Sequence, residues 1–308
     1  MYDSLLVPLD GSPASEQAIP WALGIARQAG TSLHFARVHV PPSPIMIGSE
    51  LASDVVLDSA IRQSERDYLE QLVVRLKTAT TANISTSLLE GAVVDSIQDH
   101  AKAIRADLIV MTTHGRGAFA RFWLGSIADK ILRHSTVPTL LIRPIEGQPV
   151  DLTVRPSIHR IVIPLDGSEL AERIVGPAAK LGRATGAEYA LVLVLDAVED
   201  IDALSRKKIP TPGGWFPEAT EEKARVYLEK MAGHLREQSL KTTTHMIRHG
   251  SAAGAVLEYA ATHGHAAIAL ATHGRSGIKR MFLGSVADKI VRGTTMPVLV
   301  YHPVEPAL

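Results

Sequence analysis

The chain has 308 residues, 46% of them hydrophobic and 21% charged, an ordinary globular composition with length for two domains of roughly 100 to 200 residues each. Its 32 basic and 32 acidic side chains cancel, and no basic stripe stands out, so a general electrostatic grip on nucleic acid is not expected. There is no cysteine for disulfides or thiolate metal sites, no signal-peptide pattern, and no apolar stretch near the ~18 residues of a membrane span, so a cytoplasmic protein without a membrane partner is expected.

In chain order, apolar runs predict strands at 4–9, 32–40, 83–90, 107–112 and 137–142, and helical spacing falls at 14–29, 52–79, 93–104 and 123–133. The order then begins again, with strands predicted at 159–165, 187–195, 240–248, 266–271 and 297–301. Strand and helix alternating at this spacing imply parallel strands with right-handed crossovers. Continuous runs such as "LIVM" and "LVLVL" suit strands covered on both faces.

The repetition is literal. "LLVPLDGSPASEQAIPWALGIARQAG" from Leu5 matches "IVIPLDGSELAERIVGPAAKLGRATG" from Ile161, and half of the residues from Met111 to Pro144 are identical to those from Leu270 to Pro303. A duplicated domain is the reading, with one copy at 1–145, a linker at 146–157 and the second copy at 158–308. The seam "IEGQPVDLTVRPS" is polar and proline-bearing, as linkers are.

An open parallel sheet takes its ligand beyond the carboxyl ends of the strands, where the strand order reverses. Two signals stand there in each copy. After the first strand comes "PLDGS", Pro8 to Ser12 and Pro164 to Ser168. Asp10 and Asp166 can accept from a ribose hydroxyl, or the Asp-Gly pair forms only a turn with Ser12 or Ser168 capping the next helix. After the fourth strand comes "HGR", and then a Gly-Ser pair, with nine residues between Gly115 and Gly125 and between Gly274 and Gly284. Glycine admits close approach of an anion, a helix N-terminus offers unpaired N–H groups to a triphosphate, and Arg116 and Arg275 add charge. The competing reading is a capping box, Ser126 with Asp129 and Ser285 with Asp288, which needs no ligand.

Other patterns are negative. The chain lacks the Gly-x4-Gly-Lys-Ser/Thr loop, "GRGAFA" fails the dinucleotide glycine pattern, and "DGSPAS" is not a nucleophile elbow. His245 and His249 lie about 13 Å apart on an extended strand, too far for one ion. His114 and His273 are expected to shape their loops. "PPSPIMIGSELASD" and "IPTPGGWFPEAT", after the second strand of each copy, are candidate lids, with Trp215 and Phe216 more simply buried against a helix.

Taken together, "VPLDGS", a later glycine before a helix (Gly91, Gly250), "DLIVMTTHGR", the Gly-Ser pair and "VPTLLIRP" resemble the universal stress protein family, in both copies and over most of the chain. The resemblance implies an α/β fold of two tandem doubly wound domains, each a five-stranded parallel sheet of order 3-2-1-4-5 with helices on both faces. It also implies a stress-response or regulatory protein. Members that bind ATP carry Gly-x2-Gly-x9-Gly-Ser/Thr; here Thr112 and Ala271 replace the first glycine, so a side chain stands at the strand end, smaller in the second copy. Carried over, Pro8, Leu9, Asp10, Val40 and Met111 line the adenosine part of one site, and Pro164, Leu165, Asp166, Val194 and Leu270 that of the other. Thr112, Gly115, Arg116, Gly125, Ser126 and Ile127, and Ala271, Gly274, Arg275, Gly284, Ser285 and Val286, lie toward the phosphates.

The implied ligand is ATP, with Mg2+ shared with its phosphates. No general base stands beside an activated nucleophile, so at most slow ATP hydrolysis is expected. A nucleotide-free interaction module and a slow ATPase or phosphotransferase at the same crevice are the alternatives. Family members pair through the last strand, so "TVPTLLIRP" and "TMPVLVYHP" are expected to meet within the chain; a homodimer of whole chains is a further expectation.

Overall fold

The computed structural model describes residues 2–27, 30–42, 51–114, 124–195, 218–248, 250–272 and 284–303. The chain divides into two compact units, Met1–Ser157 and Ile158–Leu308. No helix among the described residues is long and apolar enough to cross a membrane.

Unit 1 runs β1 (Ser4–Pro8), α1 (Pro13–Glu16), α2 (Ile19–Ile25), β2 (Ser32–His39), α3 (Leu51–Lys77), β3 (Asn83–Glu90), α4 (Val93–Ala103), β4 (Leu108–Thr112), α5 (Ser126–His134) and β5 (Thr139–Ile142). Its sheet has the order β3-β2-β1-β4-β5 with every ladder parallel. Unit 2 repeats this with β6 (Arg160–Pro164), α6 (Glu169–Glu172), α7 (Val175–Thr185), β7 (Glu188–Leu195), α8 (Glu218–Arg236), β8 (Thr242–Arg248), α9 (Ala252–Ala261), β9 (Ala266–Ala271), α10 (Ser285–Gly293) and β10 (Val298–Tyr301). Its parallel order is β8-β7-β6-β9-β10. Both units thus have the doubly wound order that the resemblance implies.

The apolar runs are the core. Leu5, Leu6 and Val7 of β1, Leu108, Ile109 and Val110 of β4, and Ile161, Val162 and Ile163 of β6 are fully buried, as central strands covered on both faces must be. Outer β3 alternates between exposed and half-buried positions over much of its length.

The helix expected over 14–29 is two helices, because Pro20 has no N–H to continue the ladder and its ring would crowd the preceding turn. The chain tightens there instead: Gln17 N–H donates to Ala14 O and Ala18 N–H to Ser15 O, both at 3.2 Å, before α2 starts. Around Pro177 the same break separates α6 from α7. α5 begins at Ser126 rather than at 123.

The segment expected as a linker packs on unit 1. The Gln17 amide donates to Ile145 O (2.8 Å) and Gln148 O (3.2 Å) and accepts from Ile145 N–H (2.8 Å). The Arg155 guanidinium donates to Leu152 O, to Val154 O at 3.2 Å and to Ala79 O at 2.6 Å. Ala79 lies two residues past the end of α3, where a cation opposes the negative end of the helix dipole.

Candidate functional site

Each unit opens a crevice between its first and fourth strands, and a proline explains where. Leu9 N–H donates to Ala36 O of β2 and Leu165 N–H to Val192 O of β7, both at 2.8 Å. Successive residues of an inner parallel strand address opposite neighbours. Pro8 and Pro164 therefore occupy the positions whose N–H would reach β4 and β9, and they have none to give. Pairing accordingly stops at Leu6↔Ile109 and at Val162↔Ile268.

The Asp-Gly-Ser turns line one side. Asp10 Oδ1 accepts from Ser12 N–H at 2.8 Å, Gly11 takes φ +80°, and Ser12 caps α1 by accepting from Ser15 N–H at 3.1 Å. Ser15 Oγ accepts from Asp10 N–H (3.3 Å) and donates to Ser12 O (2.9 Å). In unit 2, Asp166 Oδ1 accepts from Ser168 N–H (2.9 Å) and Oγ–H (2.6 Å), Gly167 takes φ +82°, and Ser168 caps α6 through Ala171 N–H (3.2 Å). The turn-and-cap reading of "DGS" thus describes the local geometry. Asp166 nonetheless remains exposed, and Asp10 half-buried, at the strand ends.

On the other side stand the N-termini of α5 and α10. The capping boxes of the competing reading do not form: the caps are Gly125 and Gly284, without a side-chain cap bond, and Ser126 and Ser285 are the first helical residues. Asp129 and Asp288 turn instead to Arg133 and Arg292 one turn on, with bonds of 2.7–2.8 Å and 2.8–2.9 Å. An i,i+4 carboxylate–guanidinium pair satisfies both partners, whereas a capping box would use only the carboxylate. The N–H groups of Ser126, Ile127 and Ala128, and of Ser285, Val286 and Ala287, precede the first helical hydrogen bonds, Asp129 N–H to Gly125 O and Asp288 N–H to Gly284 O.

Glycine is required at both caps, for different reasons. A Cβ on Gly125 would lie 2.8 Å from Thr113 O, which already accepts the Gly125 N–H at 2.7 Å. Gly284 takes φ +82°. Thr112 is buried and its hydroxyl donates to His114 O at 3.0 Å, so it is folded back on its own loop; Ala271 is half-buried. Burial, then the Arg143 guanidinium, hold the His114 imidazole below its ordinary value, partly offset by the Glu146 carboxylate. A neutral ring with Nδ1 3.0 Å from Thr113 Oγ1 suits the loop-shaping part expected of it.

Leu9, Met111, Leu165 and Leu270 are buried at the crevice floor, Pro8, Pro164 and Val194 half-buried, and Val40 is 58% exposed. Val40 and Val194 are not equivalent. The registers Pro8↔Ala36 and Pro164↔Val192 match Val194 to Val38, two residues earlier. Gly115, Arg116, Gly274, Arg275, His249, His273, Trp215, Phe216 and most of both candidate lids lie outside the described residues. His245 makes no metal site with its described neighbours; its ring lies 4.8 Å from that of Tyr259 and its Nε2 3.0 Å from Thr243 Oγ1.

Behind the turn of unit 1 lies a side-chain cluster absent from the sequence reading. Glu16, 8% exposed, accepts from Tyr68 Oη–H (2.8 Å) and Arg75 (2.6 Å). Arg37 lies 5.3 Å over the Tyr68 ring and 3.2 Å from Glu65. A cleft of about 890 Å3 opens beside it, lined by Gly11, Glu16, Arg75, Leu152 and Arg155 among others; none of its wall comes from β4 or α5, so it is distinct from the crevice.

The fold defines a class: tandem doubly wound α/β domains, whose ligands, where they bind any, bind beyond the carboxyl ends of the strands. A family model described as "Universal stress protein family" matches residues 1–143 and 157–302, and the chain belongs to that family. It is 26% identical over 324 aligned positions to a universal stress protein of Mycobacterium tuberculosis, covering 99% of this chain and 96% of that one. The crystal structure of a universal stress protein from Archaeoglobus fulgidus DSM 4304 superposes with a TM-score of 0.66 at 19% identity, over 97% of this chain and 96% of that one. A shorter universal stress protein, solved in complex with cAMP, is 25% identical over 47% of this chain and 99% of its own, with a TM-score of 0.36.

Proposed function

We propose that the protein is a nucleotide-responsive stress or regulatory protein that binds ATP in the crevice of each unit. The observation that carries this reading is the start of α5 and α10, where glycine caps make no side-chain cap bond, in units whose first strand ends in a turn that bears an aspartate. Uncapped helix N-termini favour phosphate, and the glycines leave room for it. In unit 1 the phosphates would lie toward Gly125, Ser126 and Ile127, and in unit 2 toward Gly284, Ser285 and Val286. The adenosine would lie on Leu9, Asp10 and Met111, or on Leu165, Asp166 and Leu270. Mg2+ would be held chiefly by the phosphates, since the described residues include no group of three His, Asp or Glu side chains fit for an ion.

A second reading has its own observation. Asp10 and Asp166 already hold their turns by hydrogen bonds, which is what a nucleotide-free interaction module would need of them. Identification of whatever small molecule co-purifies separates the two, together with a thermal shift in millimolar ATP and Mg2+. Release of adenine nucleotide and a higher midpoint are expected. No nucleotide and no shift would leave the interaction module. Gly284→Val should empty the second site and spare the first.

A further inference from the structure

We infer that Tyr68 is a positioning residue for the ribose of a nucleotide bound in unit 1, acting through Glu16 of the one-turn helix that carries the Asp-Gly-Ser turn. The inference rests on the reading that Asp10 and Asp166 accept from ribose hydroxyls.

The argument begins with α1. A helix of four residues cannot hold itself, because nucleation alone costs more than one turn of hydrogen bonds returns. Its place is set from outside. Glu16, its last residue, is buried, and a buried carboxylate must be met by donors. Tyr68 Oη–H supplies one at 2.8 Å and Arg75 another at 2.6 Å, both from α3. At its other end α1 is knotted to the crevice, since Ser15 takes the Asp10 N–H and Ser12 N–H takes the Asp10 carboxylate. The phenol therefore fixes a rigid piece whose far end is the aspartate.

Unit 2 keeps the two residue types but not all of the bonds: Ala171 stands where unit 1 has Ser15. Tyr227 stands as many residues before Gly250 as Tyr68 does before Gly91, and Glu172 matches Glu16 in the repeated segment. The Tyr227 hydroxyl is buried without a partner of full hydrogen-bond geometry among the described residues. Burial first, then the Glu172 carboxylate, and also that of Asp166, push its phenol upward, so it stays neutral. Around the pair the copies have diverged. Arg37 corresponds to Leu193, Glu65 to Ala224 and Arg75 to His234, yet glutamate and tyrosine are kept in both. A need confined to packing beneath α1 would be met by apolar residues as well.

The test uses the full chain with the second site blocked by Gly284→Val. Tyr68→Phe should weaken ATP about tenfold, the usual scale of one lost hydrogen bond to a charged group, and leave 2′,3′-dideoxy-ATP nearly unchanged. Equal weakening of both nucleotides, or of neither, overturns the ribose role. A second arm needs no ligand: amide hydrogen exchange at Ser12 should speed up in Tyr68→Phe while β4 amides keep their rates. Glu16→Gln, which retains an oxygen for Tyr68, should leave Ser12 close to wild type, and Glu16→Ala should not. Unchanged exchange at Ser12 in Tyr68→Phe overturns the positioning. A wild type that binds neither nucleotide sinks the binding reading and with it the ribose role, whereas the exchange arm still decides whether the phenol sets the turn.

Discussion

His39, the last residue of β2, holds its Nδ1 2.7 Å from Glu65 Oε2, with the histidine 1% and the glutamate 6% exposed. Its Nε2 lies 2.9 Å from Asp58 Oδ1. Both ring nitrogens are thus engaged by carboxylates in one buried cluster. Arg37 completes the charge balance at Glu65, and Arg62 pairs with Asp58 at 2.6 Å. Unit 2 writes Leu193, Leu195 and Ala224 at the places of Arg37, His39 and Glu65. Removing one partner of a buried ionic cluster is costly, while replacing the set by apolar residues is close to neutral. His39→Leu alone should therefore cost roughly 3 kcal/mol in urea unfolding, and Arg37→Leu/His39→Leu/Glu65→Ala should return to within about 1 kcal/mol of wild type. A triple variant weaker than the single one would show that the cluster does more than balance itself.

Stability should fall as pH drops below about 6.5, the ordinary histidine value. His34 is held low by burial and then by His100, His100 by burial, and His245 by burial and then by Arg160 and His263. The unfolded chain takes up protons before these folded imidazoles do, so their contribution is whole above 6.5 and is lost as pH falls toward their lowered values. The carboxylates of Asp58, held low first by Arg62, and of Glu229, held low first by Thr244, act the same way only at more acid pH. Urea midpoints at pH 7.5 and 5.5 should decrease in that order, and His100→Tyr, the residue type that unit 2 has there as Tyr259, should flatten the slope. Level midpoints in the wild type would contradict the assignment.

Two glycines of α7 should respond oppositely to alanine. Nothing lies within 4 Å of a Cβ at Gly176, so Gly176→Ala should gain about 0.5–1 kcal/mol from helix propensity. A Cβ at Gly182 would collide with the Tyr189 hydroxyl, which is held by Ala179 O at 2.9 Å and whose phenol burial has pushed up to about 12. Gly182→Ala should cost roughly 1–3 kcal/mol as overpacking. Thermal melts of both variants decide the point, and a stabilised Gly182→Ala would mean that Tyr189 moves freely.

Arg155→Ala should loosen the end of α3. The guanidinium is a donor to Ala79 O, and its loss should cost about 1 kcal/mol. Faster amide exchange is expected at Ala79 and Thr80, whose N–H groups both donate to Leu76 O. Unaltered exchange there would make the contact incidental.

Much of the fold was legible because buried parallel strands leave continuous apolar runs and because the second copy confirms the first. What stayed hidden has physical reasons. The register slip between Val40 and Val194 spans two residues, which keeps every side chain on the same face and so leaves the alternation intact. Ser126 satisfies a local capping pattern, but Gly125 is fixed as the cap by its bond to Thr113 O, a contact across a loop. Tyr68 and Glu16 are 52 residues apart and meet only after α3 packs, so no periodicity announces them. The break at Pro20 was readable from the proline alone; the apolar spacing on both sides of it outweighed that signal.

Pro8 and Pro164 make the gap between strands a property of covalent structure. The next rung of each ladder is denied by a nitrogen that carries no hydrogen. Such a gap stands open before any visitor arrives. Whatever enters need not break a ladder first.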